Sequence, residues 1–248
     1  MQVEFAIQAW AGLAAGLVSP SCWLRWAKAP ECPAGEFAPA SAPLAEVPAM
    51  LRRRLGPLGK YASQVAYDCQ GDDDHLPFVF ASRYGDSTRS LNLLGDYSNG
   101  SPISPADFAL SVHNAISAIY SIARKDRGFQ SSIAGGRFSA EAGLVEAVSL
   151  LDDGAQAVML VHYDEPLPGE YAAFSDEPSS AYAWAWRVSR PAHAAESFTL
   201  RACSPELHDP LEKVRLPHGL DVFRFVLSGA PSLKSSDGQS AWTWTRHD

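Results

Sequence analysis

In an α/β sequence the first place to look for chemistry is a sharp strand-to-helix turn, because such a turn lifts one side chain clear of the sheet as a nucleophile. Here that place falls at Gly135-Gly136-Arg137-Phe138, and neither cysteine nor serine stands at the apex. Ser139 follows the turn, and with His162 and Asp164 at the end of an apolar run it could make a hydrolase triad. The same serine also reads as the N-cap of the next helix, and no Gly-x-Ser-x-Gly elbow surrounds it. Asp72-Asp73-Asp74-His75 could hold a divalent ion through oxygens, or be a solvated loop. His113 and Asn114 fall on a predicted helix in an apolar context, which suits a buried hydrogen-bonded pair as well as an active-site role. Cys22, Cys32, Cys69 and Cys203 show no CxxC spacing and no histidine cluster, so neither zinc nor a disulfide framework is expected. That usage fits a reducing cytoplasm. No cofactor and no metal are predicted.

The elements that must position the turn are legible around it. Gln130 to Ala134 is a short strand, and Leu144, Val148 and Leu151 recur at helical spacing until Asp152-Asp153-Gly154 stops the helix. Ala157-Val158-Met159-Leu160-Val161 is then a continuous apolar run, as in a parallel strand covered on both faces. The sum is a βαβ unit. Upstream, Val3 to Ala9 reads as a first strand, Ser19 to Pro48 as a Pro- and Ala-rich surface excursion, and Pro48 to Cys69 as a helix interrupted at Gly56-Pro57. Phe78 to Ala81 reads as a buried strand, Asp86 to Leu94 as a helix, Tyr97-Ser98-Asn99-Gly100 as a turn, and Ser104-Pro105 as a helix start. A further helix is expected over Ser111 to Ala123. Tyr182 to Val188 alternates at period two and is expected to pair with Ser197 to Cys203 as an antiparallel hairpin. Val222 to Leu227 and Ala241 to Thr245 are further strand candidates, and Trp242 and Trp244 would share one face of an edge strand, a docking segment or the core.

With 248 residues and 46% hydrophobic content the chain can bury a sizeable core. A net charge of -8 argues against general affinity for nucleic acid or anionic membrane. Arg52-Arg53-Arg54 is the one basic run, a solvated helix face or a phosphate or carrier-protein contact. Ala9 to Val18 is preceded by Glu4 and no basic residue, which is the wrong charge for a signal peptide, and no apolar run is long enough to span a bilayer. A soluble, intracellular protein is expected.

Val112-His113-Asn114-Ala115, Gly128, the Gly135-Gly136-Arg137 turn and Leu151 through Asp164-Glu165 together resemble the amino-terminal half of the β-ketoacyl synthases, which have the thiolase fold. Phe78 to Gly85 and Arg52-Arg53-Arg54-Leu55 also look like family positions, so the resemblance spans roughly residues 1 to 175, with 176 to 248 left as an extension. It implies half of a thiolase-like fold, a mostly parallel sheet covered by helices, with antiparallel strands near the C-terminus. Alignment places Arg137, or at one residue's slip Gly136, where the family carries its acylated cysteine, and neither can form a thioester. The family's second half supplies two histidines and a glycine-rich loop, and a chain of this length is expected to lack it.

A cysteine-free relative is known in type II polyketide systems as the chain-length factor, and the sequence resembles a shortened form of it, similar to those accompanying aryl polyene synthesis. The resemblance implies a heterodimer with a full-length β-ketoacyl synthase and access to acyl carrier protein through that complex. In the family fold the strand before the elbow pairs across the two-fold axis, which would put Gln130, Ser131, Ser132, Ile133 and Ala134 at the dimer interface. Arg137 would then hold a partner carboxylate or carbonyl or make a structural ion pair, and Phe138 would wall off the acyl channel. An enzyme with another nucleophile and a homodimeric acyl-binding scaffold are the alternatives.

Overall fold

The apolar run at 157 to 161 opens a strand, β4 (Ala157–Asp164), whose first seven residues are buried. Its side chains alternate between two cores, as a period of two demands. Val158 and Leu160 join one core, Met159, Val161 and Tyr163 the other. The computed structural model describes residues 1–35, 38, 42–71, 75–191, 196–205 and 215–247. Its strands are β1 (Gln2–Ala14), β2 (Phe78–Ala81), β3 (Gln130–Ile133), β4, β5 (Tyr182–Ser189), β6 (Ser197–Cys203), β7 (Ser232–Ser236) and β8 (Ala241–His247). They form one eight-stranded sheet in the order β3-β2-β4-β5-β1-β6-β8-β7. Strands from both sides of residue 175 therefore share a single sheet.

Helices cover both faces. The core on one face takes Trp23 and Trp26 from α1 (Pro20–Lys28), Leu144 and Val148 from α7 (Ser139–Asp152), and Leu220 and Phe223 from α8 (His218–Ser228). The opposite core takes Leu58, Tyr61 and Val65 from α3 (Pro57–Gln70), and Ile116, Ile119 and Tyr120 from α6 (Ala115–Arg124). Short α2 (Ala49–Arg52), α4 (Ser87–Ser98) and α5 (Pro105–Ala109) complete the helices. At Gly143 a Cβ would stand 2.8 Å from Ala81 Cβ and 2.9 Å from Leu160 Cδ1, so glycine is what lets α7 lie this close to the sheet.

Several expectations need correction. Only β2 with β3 and β2 with β4 are parallel; the other five pairings are antiparallel, so the sheet is mixed rather than mostly parallel. β5 and β6 do not form a hairpin. β1 is long enough to enter between them, giving Gln2 to Phe5 to β6 and Ala6 to Ala14 to β5. The excursion over 19 to 48 contains α1, whose Ser19 side chain accepts from the Cys22 N–H and whose first residue is Pro20. Val222 to Leu227 lies in α8, where Leu220, Phe223 and Phe225 are buried and Gly229 at φ 72° ends the helix. Tyr97 and Ser98 belong to α4, and residues 111 to 114 form a turn ahead of α6. β8 is an inner strand with Trp244 fully buried; β7 takes the edge.

Candidate functional site

The parallel strands β2, β3 and β4 end at the same rim, and their following loops bring together Ser82 and Arg83, the Gly135-Gly136-Arg137-Phe138 turn, and Asp164 and Glu165. Carboxyl ends of parallel strands are where α/β sheets gather functional groups. Asp164 Oδ1 accepts the Ser82 hydroxyl and the Arg83 N–H, both at 2.9 Å, which ties the β2 loop to β4. Ser82 Oγ in turn accepts the Gly85 N–H at 2.8 Å.

The turn is braced from within. Gly136 adopts φ 60°, a conformation other residues rarely take. Ser139 Oγ donates to Gly136 O at 2.7 Å and accepts the Gly135 N–H at 3.0 Å. Ser139 is therefore the first residue of α7 and a brace for the turn; the N-cap position belongs to Phe138, whose side chain makes no capping bond. That corrects the expected capping role. It also occupies the hydroxyl that a triad would need: no hydrogen bond joins Ser139 to His162 among the described residues. His162 Nε2 lies 3.7 Å from Asp164 Oδ2, while its ring stacks on Trp184 and Tyr182 at 5.0 and 5.8 Å. Burial, with the charge of His218 nearby, pushes the His162 ring down to about 3, so it is neutral. Burial raises Asp164 to about 7 against the opposing bonds from Ser82 and Arg83, and raises Glu165 to about 7 against the Thr88 hydroxyl.

Arg137 is half-buried and points into its own chain, with Nε 3.9 Å from Glu177 Oε2. Phe138 is buried too, its ring set edge-on to His218 at 5.1 Å. Beneath them lies a polar cluster that sequence reasoning missed. His218 Nε2 lies 2.7 Å from Glu141 Oε1, the same oxygen accepts Trp244 Nε1–H at 3.0 Å, and Glu177 Oε2 accepts the His218 backbone N–H at 3.0 Å. Burial works against charge on His218, but the charge and hydrogen bond of Glu141 outweigh it and raise its pKa. Glu141 had a visible signal, an acid in the first turn of α7. Trp244 showed only its alternation with Trp242, and His218 had no signal, because both lie in the segment where the family resemblance runs out.

His113 and Asn114 are not a buried pair: Asn114 is exposed, and His113 donates from Nε2 to Ile133 O at 3.1 Å, tying the turn before α6 to β3. Gln130 is exposed and Ser131, Ser132 and Ile133 are part-buried, while Ala134 lies beyond the strand. β3 has β2 on one side and no strand on the other among the described residues. Phe129, which precedes it, is 50% exposed, and Ile122 of α6 is 59% exposed. All four cysteines are free. No group of three or more His, Cys, Asp or Glu suited to a metal ion occurs among the described residues; Asp72, Asp73 and Asp74 lie outside them. No helix among the described residues is long and apolar enough to cross a membrane.

The sequence matches the family model of the β-ketoacyl synthase N-terminal domain over residues 23–245. Among proteins of curated function, none matches. Of solved structures, a chain of the complex between the ketosynthase ApeO and its chain length factor ApeC from Xenorhabdus doucetiae superposes with a TM-score of 0.80 at 25% identity, over 98% of this chain and 99% of that one. A chain of the ishigamide ketosynthase/chain length factor gives 0.65 at 14% identity, over 84% and 69%. A chain of AntDE:AntF, a type II polyketide acyl-carrier protein in complex with its ketosynthase, gives 0.61 at 10% identity, over 99% of each. These share the α/β, thiolase-like architecture that the resemblance to the β-ketoacyl synthases implies. The chain belongs to the β-ketoacyl synthase N-terminal domain family.

Proposed function

We propose that this chain is a non-catalytic, chain-length-factor-type subunit that pairs with a full-length β-ketoacyl synthase and shapes its acyl channel during polyketide or aryl polyene chain extension. The observation that carries the reading is the elbow itself: Arg137 and Gly136, the two residues that the resemblance sets against the family's cysteine, cannot form a thioester, Arg137 faces Glu177 of its own chain, and the Ser139 hydroxyl beside them is spent on bracing the turn. A guanidinium at this place cannot accept an acyl group. The likeness to a chain from a ketosynthase and chain length factor complex supports the same role.

The open edge of β3 supports a heterodimer. An unpaired strand edge preceded by exposed Phe129 is a template for strand addition along Gln130, Ser131, Ser132 and Ile133, with the Ile133 carbonyl already taken by the Ser82 N–H and His113. Ala134, exposed at the rim, would follow them into the interface. Acyl carrier protein would reach the pair through the partner's active site, in the cytoplasm.

Co-expression with a full-length ketosynthase followed by size exclusion tests this. A stable one-to-one complex is expected, with acyl groups from carrier protein found on the partner's cysteine and none on this chain. Absence of a complex, or covalent acylation of this chain, would overturn the reading. Phe129→Glu, a change at an exposed site, is expected to weaken the complex about tenfold or more while leaving the chain's own thermal stability unchanged.

A further inference from the structure

Between β4 and β5 the chain crosses the rim of the parallel strands as a strap, with a single 3-10 segment at Gly169–Phe174. Two consecutive carboxylates on the strap meet two arginines that leave neighbouring strand ends. Asp176 takes Arg83, which follows β2, through paired hydrogen bonds of 2.7 and 2.9 Å. Glu177 lies 3.7 Å from Arg83 and 3.9 Å from Arg137, which follows β3. It is held in place by the His218 backbone N–H, while Ser180 anchors the strap's far end to Pro33 O at 2.8 Å. The space left between the strap and Arg83, Asp164 and Tyr182 is about 30 Å³, room for a water or two and no acyl chain.

We propose that this strap is a latch holding the chain's own elbow shut, with Glu177 as the positioning residue that keeps the Arg137 guanidinium turned inward. Arg137 Nε is buried and makes no hydrogen bond among the described residues, so the attraction of Glu177 is what compensates its lost hydration. With Arg137 and Phe138 both drawn inward, the apex presents exposed Ala134, Gly135 and Gly136, which is mostly main chain. A partner would thus meet backbone there and no charge. That functional half rests on the subunit reading above; the latch itself stands on this chain alone.

Labelling of the full chain with phenylglyoxal, read by peptide mass spectrometry, measures where the guanidinium points. Arg137 in the wild type is expected to react about tenfold more slowly than exposed Arg53. Glu177→Gln keeps an acceptor for the His218 N–H, removes the charge, and is expected to bring Arg137 to within about threefold of Arg53. Asp176→Asn frees Arg83 and leaves Arg137 protected. Should E177Q fail to fold by circular dichroism, Glu177→Asp shortens the reach with the charge retained and is expected to give the same rise. Fast labelling in the wild type, or unchanged protection in the folded Glu177 variant, would overturn the latch. Co-purification of the ketosynthase with the same samples reports separately: its failure with the wild type sinks the subunit reading and leaves the labelling result standing.

Discussion

His162 at the end of β4 and His218 at the start of α8 are equally buried, each 2% exposed, and their surroundings shift their pKa values in opposite directions. His162 stacks on Trp184 and Tyr182, with Asp164 too far for a hydrogen bond, and the apolar faces of its neighbours keep it neutral. His218 has a carboxylate at 2.7 Å, which favours its protonated form and raises its pKa despite the same lack of water. Burial alone therefore does not decide the charge of a histidine; the partner does. The difference also divides labour around the elbow. The His218 imidazole, with Glu141 and Trp244, forms the floor under Phe138, while that of His162 completes an aromatic stack.

The contrast can be broken most severely at Glu141. Glu141→Ala leaves buried His218 Nε2 and the Trp244 N–H without their acceptor, and His218→Phe leaves Glu141 without its closest partner, so each is expected to cost about 3–5 kcal/mol in chemical denaturation. If either change were nearly neutral, the floor would not be an ion pair.

A smaller, pH-dependent effect sharpens it. Asp164 and Glu165 sit near 7 in the fold, above ordinary values of 3.8 and 4.5, so the folded chain keeps protons that the unfolded chain has released, and stability falls as pH rises through that window. His218, raised by Glu141, stabilises the fold while charged and loses that contribution as pH rises through its folded value. His162, held near 3, acts in the opposite sense, but its effect is complete once unfolded histidine has deprotonated near 6.5. Above pH 6.5 the His162 contribution is complete, the first three groups dominate the slope up to about 8, and the melting temperature is expected to fall. Glu165→Gln should flatten that slope; an unchanged slope would remove Glu165 from the set. The smallest effect belongs to the neutral ring: His162→Phe is expected to cost less than about 1.5 kcal/mol, because a stacked, uncharged ring is exchanged for one of similar volume. Proton NMR checks both rings directly, with His218 titrating above 6.5 and His162 showing no transition from pH 5 upward.

Much of the rim could be read in the sequence because its signals are local. The apolar run of β4, the Phe78 to Ala81 strand and the Gly135-Gly136 turn each carry their own pattern within a few residues, and the family resemblance covers them. The His218 floor could not be read, since Glu141 and His218 lie far apart in sequence and meet only through tertiary packing. The strand expected over Val222 to Leu227 shows the same limit: β-branched and aromatic residues mark burial, and α8 buries them as a helix. Ser139 looked like a cap by type and position, yet its hydroxyl found Gly136 O across the turn, a contact set by the positive φ of Gly136. His113 and Asn114 looked helical because the apolar spacing of α6 runs on from them, but that helix starts only at Ala115.

The placement of β1 in the middle of the sheet, between β5 and β6, has a kinetic consequence. β1 leaves the ribosome well before the segments near residues 182 to 203 that flank it, so its apolar positions must wait for those segments to be made. Closure of the sheet then depends on pairings between distant parts of the chain, which places refolding in the slow, millisecond-to-second class or beyond. A nascent chain stalled before β5 would expose Leu13, Ala11 and Phe5 to its surroundings, and that interval is where a chaperone or a co-translated partner subunit would have most to gain by binding.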